Sequence, residues 1–220
     1  MDLTRLGPEP GARCLVLGGC GGIGRAYLRL FASPVFCCYT AVTAFSSGVF
    51  FAFMAGAPRV LVEGLGHTPR AYALAFMATS LSFALGSYLA GRFSGRLGVQ
   101  RMLQAGLILT TAGALLSLVT LMLLPLSLVM FFLPMLLMGV GNGISQPNSL
   151  AAAISVQPKL AGTASGVVGA SQMAVGALMT VAAGVLEIGT GFGTAIVMTV
   201  CALASQLGLA GARRLRQHPA

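Results

Sequence analysis

The chain has 220 residues, 56% of them hydrophobic and 8% charged, with a net charge of +9 at neutral pH and a mean hydropathy of +0.90. A soluble domain carries about 25% charged residues, so an ordinary soluble fold is excluded. A nucleic-acid-binding module is excluded as well, because the Lys and Arg residues sit at the ends of apolar runs and not along one basic face.

Residues 1–34 form a polar, Pro/Gly-rich N-terminal segment, expected on the cytoplasmic side. Within it, Leu15–Gly24 resembles a glycine-rich dinucleotide-binding turn, but no strand–helix–strand alternation follows it. The overlapping stretch Cys14–Cys20 looks like a lipoprotein cleavage site but has too short an apolar core for one. From Ile23 to Ser33, Leu and Phe set against Arg25 and Arg29 predict a short interfacial helix, and Pro34 marks entry into the membrane.

Between Arg29 and Arg213 the charges leave five gaps, at 30–58, 71–91, 102–158, 160–186 and 188–212. Crossing roughly 30 Å of hydrocarbon takes about 20 apolar residues in a helix, and in lipid only a helix satisfies its own backbone groups. The third gap is long enough for two crossings. The expected fold class is therefore all-α integral membrane, with six spans at 35–57, 71–91, 102–123, 126–146, 164–186 and 191–211. Residues 212–220 form a basic tail. The spans divide three plus three, as in transporters built from inverted triplets.

Charge sets the orientation. Arg5, Arg13, Arg25, Arg29, Arg92, Arg96, Arg101, Lys159, Arg213, Arg214 and Arg216 fall on one side, and only Arg59 and Arg70 on the other. The positive-inside rule puts both termini in the cytoplasm, which an even number of spans requires. With no Trp, the interfacial aromatics are Tyr and Phe. The five cysteines form no CxxC and lie far from His67 and His218, so no metal site is expected.

Two segments carry motifs. In 91–101, Gly91, Gly95 and Gly98 allow a tight turn between helices that meet closely, with Arg96 and Arg101 at the membrane surface. The plainer reading is a basic loop that only sets topology. Further on, Gly139, Gly141 and Gly143 open one face of the fourth span, and Gln146-Pro147-Asn148 is expected to break it near its end. Ala161-Gly162-Thr163-Ala164-Ser165-Gly166 starts the fifth span, where Gly162 and Gly166 form a small-xxx-small pair for helix packing.

Together these segments resemble the C-terminal half of a major facilitator superfamily transporter of the Bcr/CflA multidrug efflux type. Loop 91–101 is similar to that superfamily's repeated loop signature. Pro147-Asn148, the 161–165 stretch and Gln172 resemble the Bcr/CflA pattern, and Tyr27-Leu28-Arg29-Leu30 resembles the approach to its seventh helix. The resemblance implies alternating access in a bacterial-type inner membrane, with a proton gradient driving antiport of an amphipathic compound. It implies no catalytic residue and no cofactor beyond the gradient.

Gly95 stands where the signature often has an acid, and six helices stand where the family has twelve. A second six-helix bundle, from a missing N-terminal half or a second copy, is thus the expected partner beside the lipid bilayer. No acidic or basic residue lies deep in a span, and Glu187 reads as a solvated residue at an outer helix end. Coupling groups are then expected in the other half. The substrate-cavity candidates are Phe45, Phe53, Met77, Asn142 and Gln172, in an adaptable Phe/Met-rich surface. The competing reading is a truncated, non-transporting membrane remnant or an interaction subunit.

Overall fold

The computed structural model describes residues 22–66 and 68–217. Cys14, Cys20, His67, His218 and most of the glycine-rich run 15–24 lie outside them. The elements are α1 (Gly22–Phe31), α2 (Pro34–Pro58, continued by one wider π-type turn, Arg59–Gly64), α3 (Pro69–Leu97), α4 (Val99–Leu123), α5 (Leu128–Ser155), α6 (Ala161–Leu186, preceded by a short 3₁₀ turn at Pro158–Leu160) and α7 (Phe192–Gln217). Helices α2 to α7 are long and apolar enough to cross a membrane. The six expected spans are present.

Local chemistry starts several of these helices. The Ser33 and Thr68 hydroxyls accept from Phe36 N–H and Ala71 N–H, each at 3.4 Å, and Pro34 and Pro69 follow them. A hydroxyl cap satisfies a first-turn N–H, and proline at the next position sacrifices an N–H that has no helical partner. Ser127 caps α5 in the same way.

Helices α2 and α5 form the centre. Helix α2 packs on α6 and α7, α5 packs on α3 and α4, α2 meets α5, and α4 meets α7. Exchanging α2 with α5, α3 with α6 and α4 with α7 maps this set of pairings onto itself. The three-plus-three division is therefore written in the packing. Helices α2 and α5 are mostly buried, whereas α3 and α6 are mostly not. One apolar core gathers Phe53, Phe131, Phe132 and Met135, and a second gathers Phe36, Tyr39, Leu103 and Leu209. Near the second core, the Arg216 guanidinium lies 5.1 Å above the Tyr39 ring, whose hydroxyl takes a hydrogen bond from Gln100. Arg213 donates to Gln104 Oε1 at 2.8 Å. These contacts fasten the basic end of α7 to α2 and α4.

Four expectations are corrected. Pro147 does not end a helix, because α5 continues through it to Ser155. Pro147 has no N–H for the Gly143 carbonyl, and that carbonyl instead accepts from Ser87 Oγ of α3 at 3.3 Å. Asn148 ties the same two helices, its Oδ1 accepting from Ser94 Oγ at 2.8 Å while its Nδ2 donates to the Ile144 carbonyl at 2.8 Å. Asn148→Ala is expected to cost about 1–2 kcal/mol, since it removes two bonds from a buried position. Unfolding of the purified chain in mixed micelles measures it, and an unchanged midpoint would count against this role.

Second, Gly91 and Gly95 are not in a turn. Helix α3 runs to Leu97, and Gly98 alone, at φ +86°, joins it to α4. Only glycine adopts that backbone freely. Third, the glycines of α5 open two faces rather than one. A Cβ at Gly139 or Gly143 would strike α3, and one at Gly141 would strike Thr110 of α4. Fourth, Glu187 is not solvated but almost wholly buried. Its Oε1 accepts from Gly191 N–H at 2.8 Å, and its Oε2 from Thr194 N–H at 3.0 Å and Thr194 Oγ1 at 2.7 Å.

Candidate functional site

A polar cluster sits near the middle of α2, α5 and α6, where purely apolar side chains would be the default. Ser46 Oγ donates to Asn142 Oδ1 at 2.7 Å and lies 3.1 Å from Ser145 Oγ. One residue along α2, Ser47 Oγ accepts from Gln146 Nε2 at 2.8 Å and from Gln172 Nε2 at 2.7 Å. Gln172 Nε2 also donates to Gln146 Oε1 at 2.9 Å. Three helices are thus joined by side-chain hydrogen bonds. Each such bond between transmembrane helices is worth about 0.6 kcal/mol on average.

Beside the cluster lies a cavity of about 290 Å³, bounded by Ser47, Phe50, Phe51, Phe83, Asn142, Gln146, Gln172 and Met173. A smaller apolar recess adjoins it, lined among others by Val49, Phe53, Thr79 and Met135 and sharing Phe50, Phe83 and Asn142. Phe53 anchors the recess, stacked on Phe76 and Phe131 and edge-on to Phe132. Phe51 holds its place because Gly176 of α6 leaves room for its ring, where a Cβ would come within 2.5 Å of it.

The structure brings together Asn142 and Gln172 at the cavity and Phe53 at the recess. Phe45 is half-buried and packs on the core cluster that contains Phe53, without lining either space. Met77 is 57% exposed on α3 and lines neither space. Pro147 and Asn148 border a separate groove near the basic end, with Gly91 and Ser94. Arg96 and Arg101 are exposed on either side of Gly98. A Cβ added at Gly162, Gly166 or Gly169 would meet nothing within 4 Å, so the small-xxx-small pair packs on nothing among the described residues. Thr163 is half-buried beside them, and Ser165 Oγ only turns back to the Gly162 carbonyl at 2.9 Å.

The sequence does not single out Ser47 and Gln146 as cavity residues. The available signal is a glutamine four residues after Asn142 inside an apolar span. At that spacing two helical side chains share a face.

Six membrane-spanning helices, paired through a two-triplet exchange, with four of them lining an open solute-sized cavity near their middle, define a multi-pass membrane protein of the transporter class. The chain belongs to the Major Facilitator Superfamily, whose family model matches residues 8–181. It is 26% identical over 190 residues to a bicyclomycin resistance protein homolog of Haemophilus influenzae. That match covers 84% of this chain but 46% of the relative, so the chain spans about half the length of the curated relative it matches. No solved structure matches the chain.

Proposed function

We propose that this chain is one six-helix wall of an alternating-access exporter of amphipathic small molecules. It works against a second six-helix bundle and is powered by a proton gradient. It sits in a bacterial-type inner membrane with both termini cytoplasmic, as the distribution of basic residues favours. The observation that carries the reading is the mid-depth cavity, where amides and hydroxyls meet Phe and Met side chains between the two triplets. Transporter sites lie at that depth and at that boundary. The resistance role named for the relative supports export of a drug-like compound.

The open side of the bundle supports the second bundle. Helices α3 and α6 are the least buried, and α6 presents its glycines there with space in front of them. Small residues at such a face let a partner helix approach closely. The described spans carry no acidic or basic residue outside the two turns nearest each end, so the titrating group that couples proton entry to export is assigned to the partner.

Gradient-driven export from vesicles containing only the purified chain, with its oligomeric state measured in the same vesicles, tests the requirement for a second bundle, and robust export by the monomer would overturn it. Gly166→Leu is expected to leave the fold of the chain intact while lowering export about tenfold, by blocking helix approach at α6. Thermal unfolding and export, measured on the same variant, separate the two effects. Unchanged export would remove α6 from the interface.

A further inference from the structure

We infer that the furrow between α3 and α4 holds an acyl chain of a phospholipid with an anionic headgroup, and that Arg92, Arg96 and Arg101 bind its phosphate. Helices α3 and α4 both pack closely on α5 and little on each other. Between them lies a groove of about 650 Å³, lined among others by Leu81 and Leu85 of α3, Leu116 of α4, and Leu133, Leu137 and Val140 of α5. It shares no residue with the central cavity or its recess. Its polar lining side chain, Ser82, gives its hydrogen to the Thr79 carbonyl at 2.7 Å. The groove therefore presents apolar surface, and Leu81, Leu85, Leu116 and Leu133 are left exposed along it.

The groove leads to arginines aligned with it. Leu81, Leu85, Arg92 and Arg96 follow one another at spacings of four, seven and four residues, and all four are exposed. Those spacings keep them on one stripe of α3. Arg101 stands across Gly98, in the first turn of α4, the helix that forms the other wall. Depth agrees as well. Leu85 lies near the middle of α3, and Arg96 is eleven residues further toward the basic end. That separation is about 16 Å along a helix, and half of the hydrocarbon thickness is roughly 15 Å. An acyl chain that ends beside Leu85 brings its phosphate to the level of Arg96.

Charge selects the headgroup. Arg92, Arg96 and Arg101 make no hydrogen bond, ion pair or ring contact among the described residues, whereas Arg213 and Arg216 at the same end are held by Gln104 and Tyr39. The acids of the described residues, Glu63 and Glu187, follow the far ends of α2 and α6. Setting topology requires basic residues near the span ends, but not their alignment with an apolar groove. A guanidinium pairs with phosphate through two parallel hydrogen bonds. Each basic residue beside an anionic lipid surface adds about fivefold to affinity. A zwitterionic headgroup would bring its own cation to the arginines. An anionic one supplies the missing counter-charge while its chain covers the exposed leucines.

The chain has no Trp, so a single tryptophan placed in the groove reports what lies against it. The full chain carrying Leu85→Trp is put into vesicles that mix phosphatidylglycerol with phosphatidylcholine, with bromine on the acyl chains of one lipid or the other. Quenching then gives the relative affinity of the two lipids at the groove. Phosphatidylglycerol is expected to be favoured about tenfold. Combining Arg92→Gln, Arg96→Gln and Arg101→Gln should bring that ratio to within about twofold of unity. Leu178→Trp, exposed on α6 in the other triplet, is expected to show no preference in the parent chain. Leu81→Trp serves as a second reporter in the groove, and thermal unfolding checks that each variant is folded.

Equal affinities at both groove reporters would overturn the inference. So would a preference that survives the combined arginine replacement in a folded variant, because the three guanidinium groups would not be its source. The same preference at Leu178→Trp would overturn it too, since the attraction would then be diffuse and belong to the whole basic end rather than to the groove.

Discussion

Replacing Glu187 by Gln is expected to destabilise the bundle by about 3 kcal/mol, although the substitution alters a single side-chain group at one end of the molecule. The carboxylate is buried and faces donors only: the N–H groups of Gly191 and Thr194 and the Thr194 hydroxyl. Helix α7 begins at Phe192, so those N–H groups belong to the turn that has no intrahelical acceptors and carries the positive end of the helix dipole. Hydrogen bonds to a charged group contribute about 1.5–3 kcal/mol. Glutamine keeps one acceptor but turns an amino group toward donors. Thr194→Val removes only one of the three bonds and is expected to cost about 1 kcal/mol, which gives a graded pair. The same junction fixes the end of α2. Arg59 Nη1 donates to the Gly184 and Glu187 carbonyls at 2.7 and 3.1 Å, and Gly56 abuts the Thr194 hydroxyl where no Cβ would fit. Cys201 is fully buried, so its labelling by a thiol dye on heating reports unfolding in a Cys14→Ala, Cys20→Ala, Cys37→Ala, Cys38→Ala background. A loss under about 0.5 kcal/mol for Glu187→Gln would show that the carboxylate is not what anchors α7.

The spacing of charged residues makes the six spans and their order legible, because lipid forbids long uncharged runs from being anything but helix. Pro147 misleads for a definite reason. The rule that proline ends a helix assumes that the freed carbonyl has no better partner, and here Ser87 of a neighbouring helix, 56 residues away in the chain, supplies one. Glu187 misleads because its partners lie four and seven residues ahead, across a turn whose Gly189 and Gly191 have φ of +88° and +83°. In sequence that turn looks like an exposed loop. The cavity is half legible. Asn142 and Gln172 stand out as amides in apolar spans, but Phe53 and Met77 are both large apolar residues in apolar surroundings. Which of the two lines the recess is set by helix rotation, which follows from where the glycines let helices touch. Sequence marks the glycines without saying which of them touch anything.

That ambiguity yields the sharpest prediction. Gly143→Ala is expected to cost about 2–3 kcal/mol, while the same change at Gly162 or Gly166 is expected to cost nothing in the isolated chain. A Cβ at Gly143 would stand 2.2 Å from the Phe83 carbonyl oxygen, 2.8 Å from Ser87 N and 2.9 Å from Gly86 Cα. All three are backbone atoms of α3, so no rotamer change relieves the clash and the two helices must separate. Overpacking a tight interface costs about 1–3 kcal/mol. Separation would also stretch the Ser87 and Ser94 bonds to α5 and shift Phe83, which lines the cavity. Ligand binding is therefore expected to fall together with stability. At Gly162 and Gly166 an added methyl meets open space, and alanine is the better helix former by about 1 kcal/mol. Those variants should be as stable as the parent or slightly more so. If Gly166→Ala weakened the isolated bundle as much as Gly143→Ala, α6 would have to be packed within the chain itself, and its open face could no longer be assigned to a second bundle.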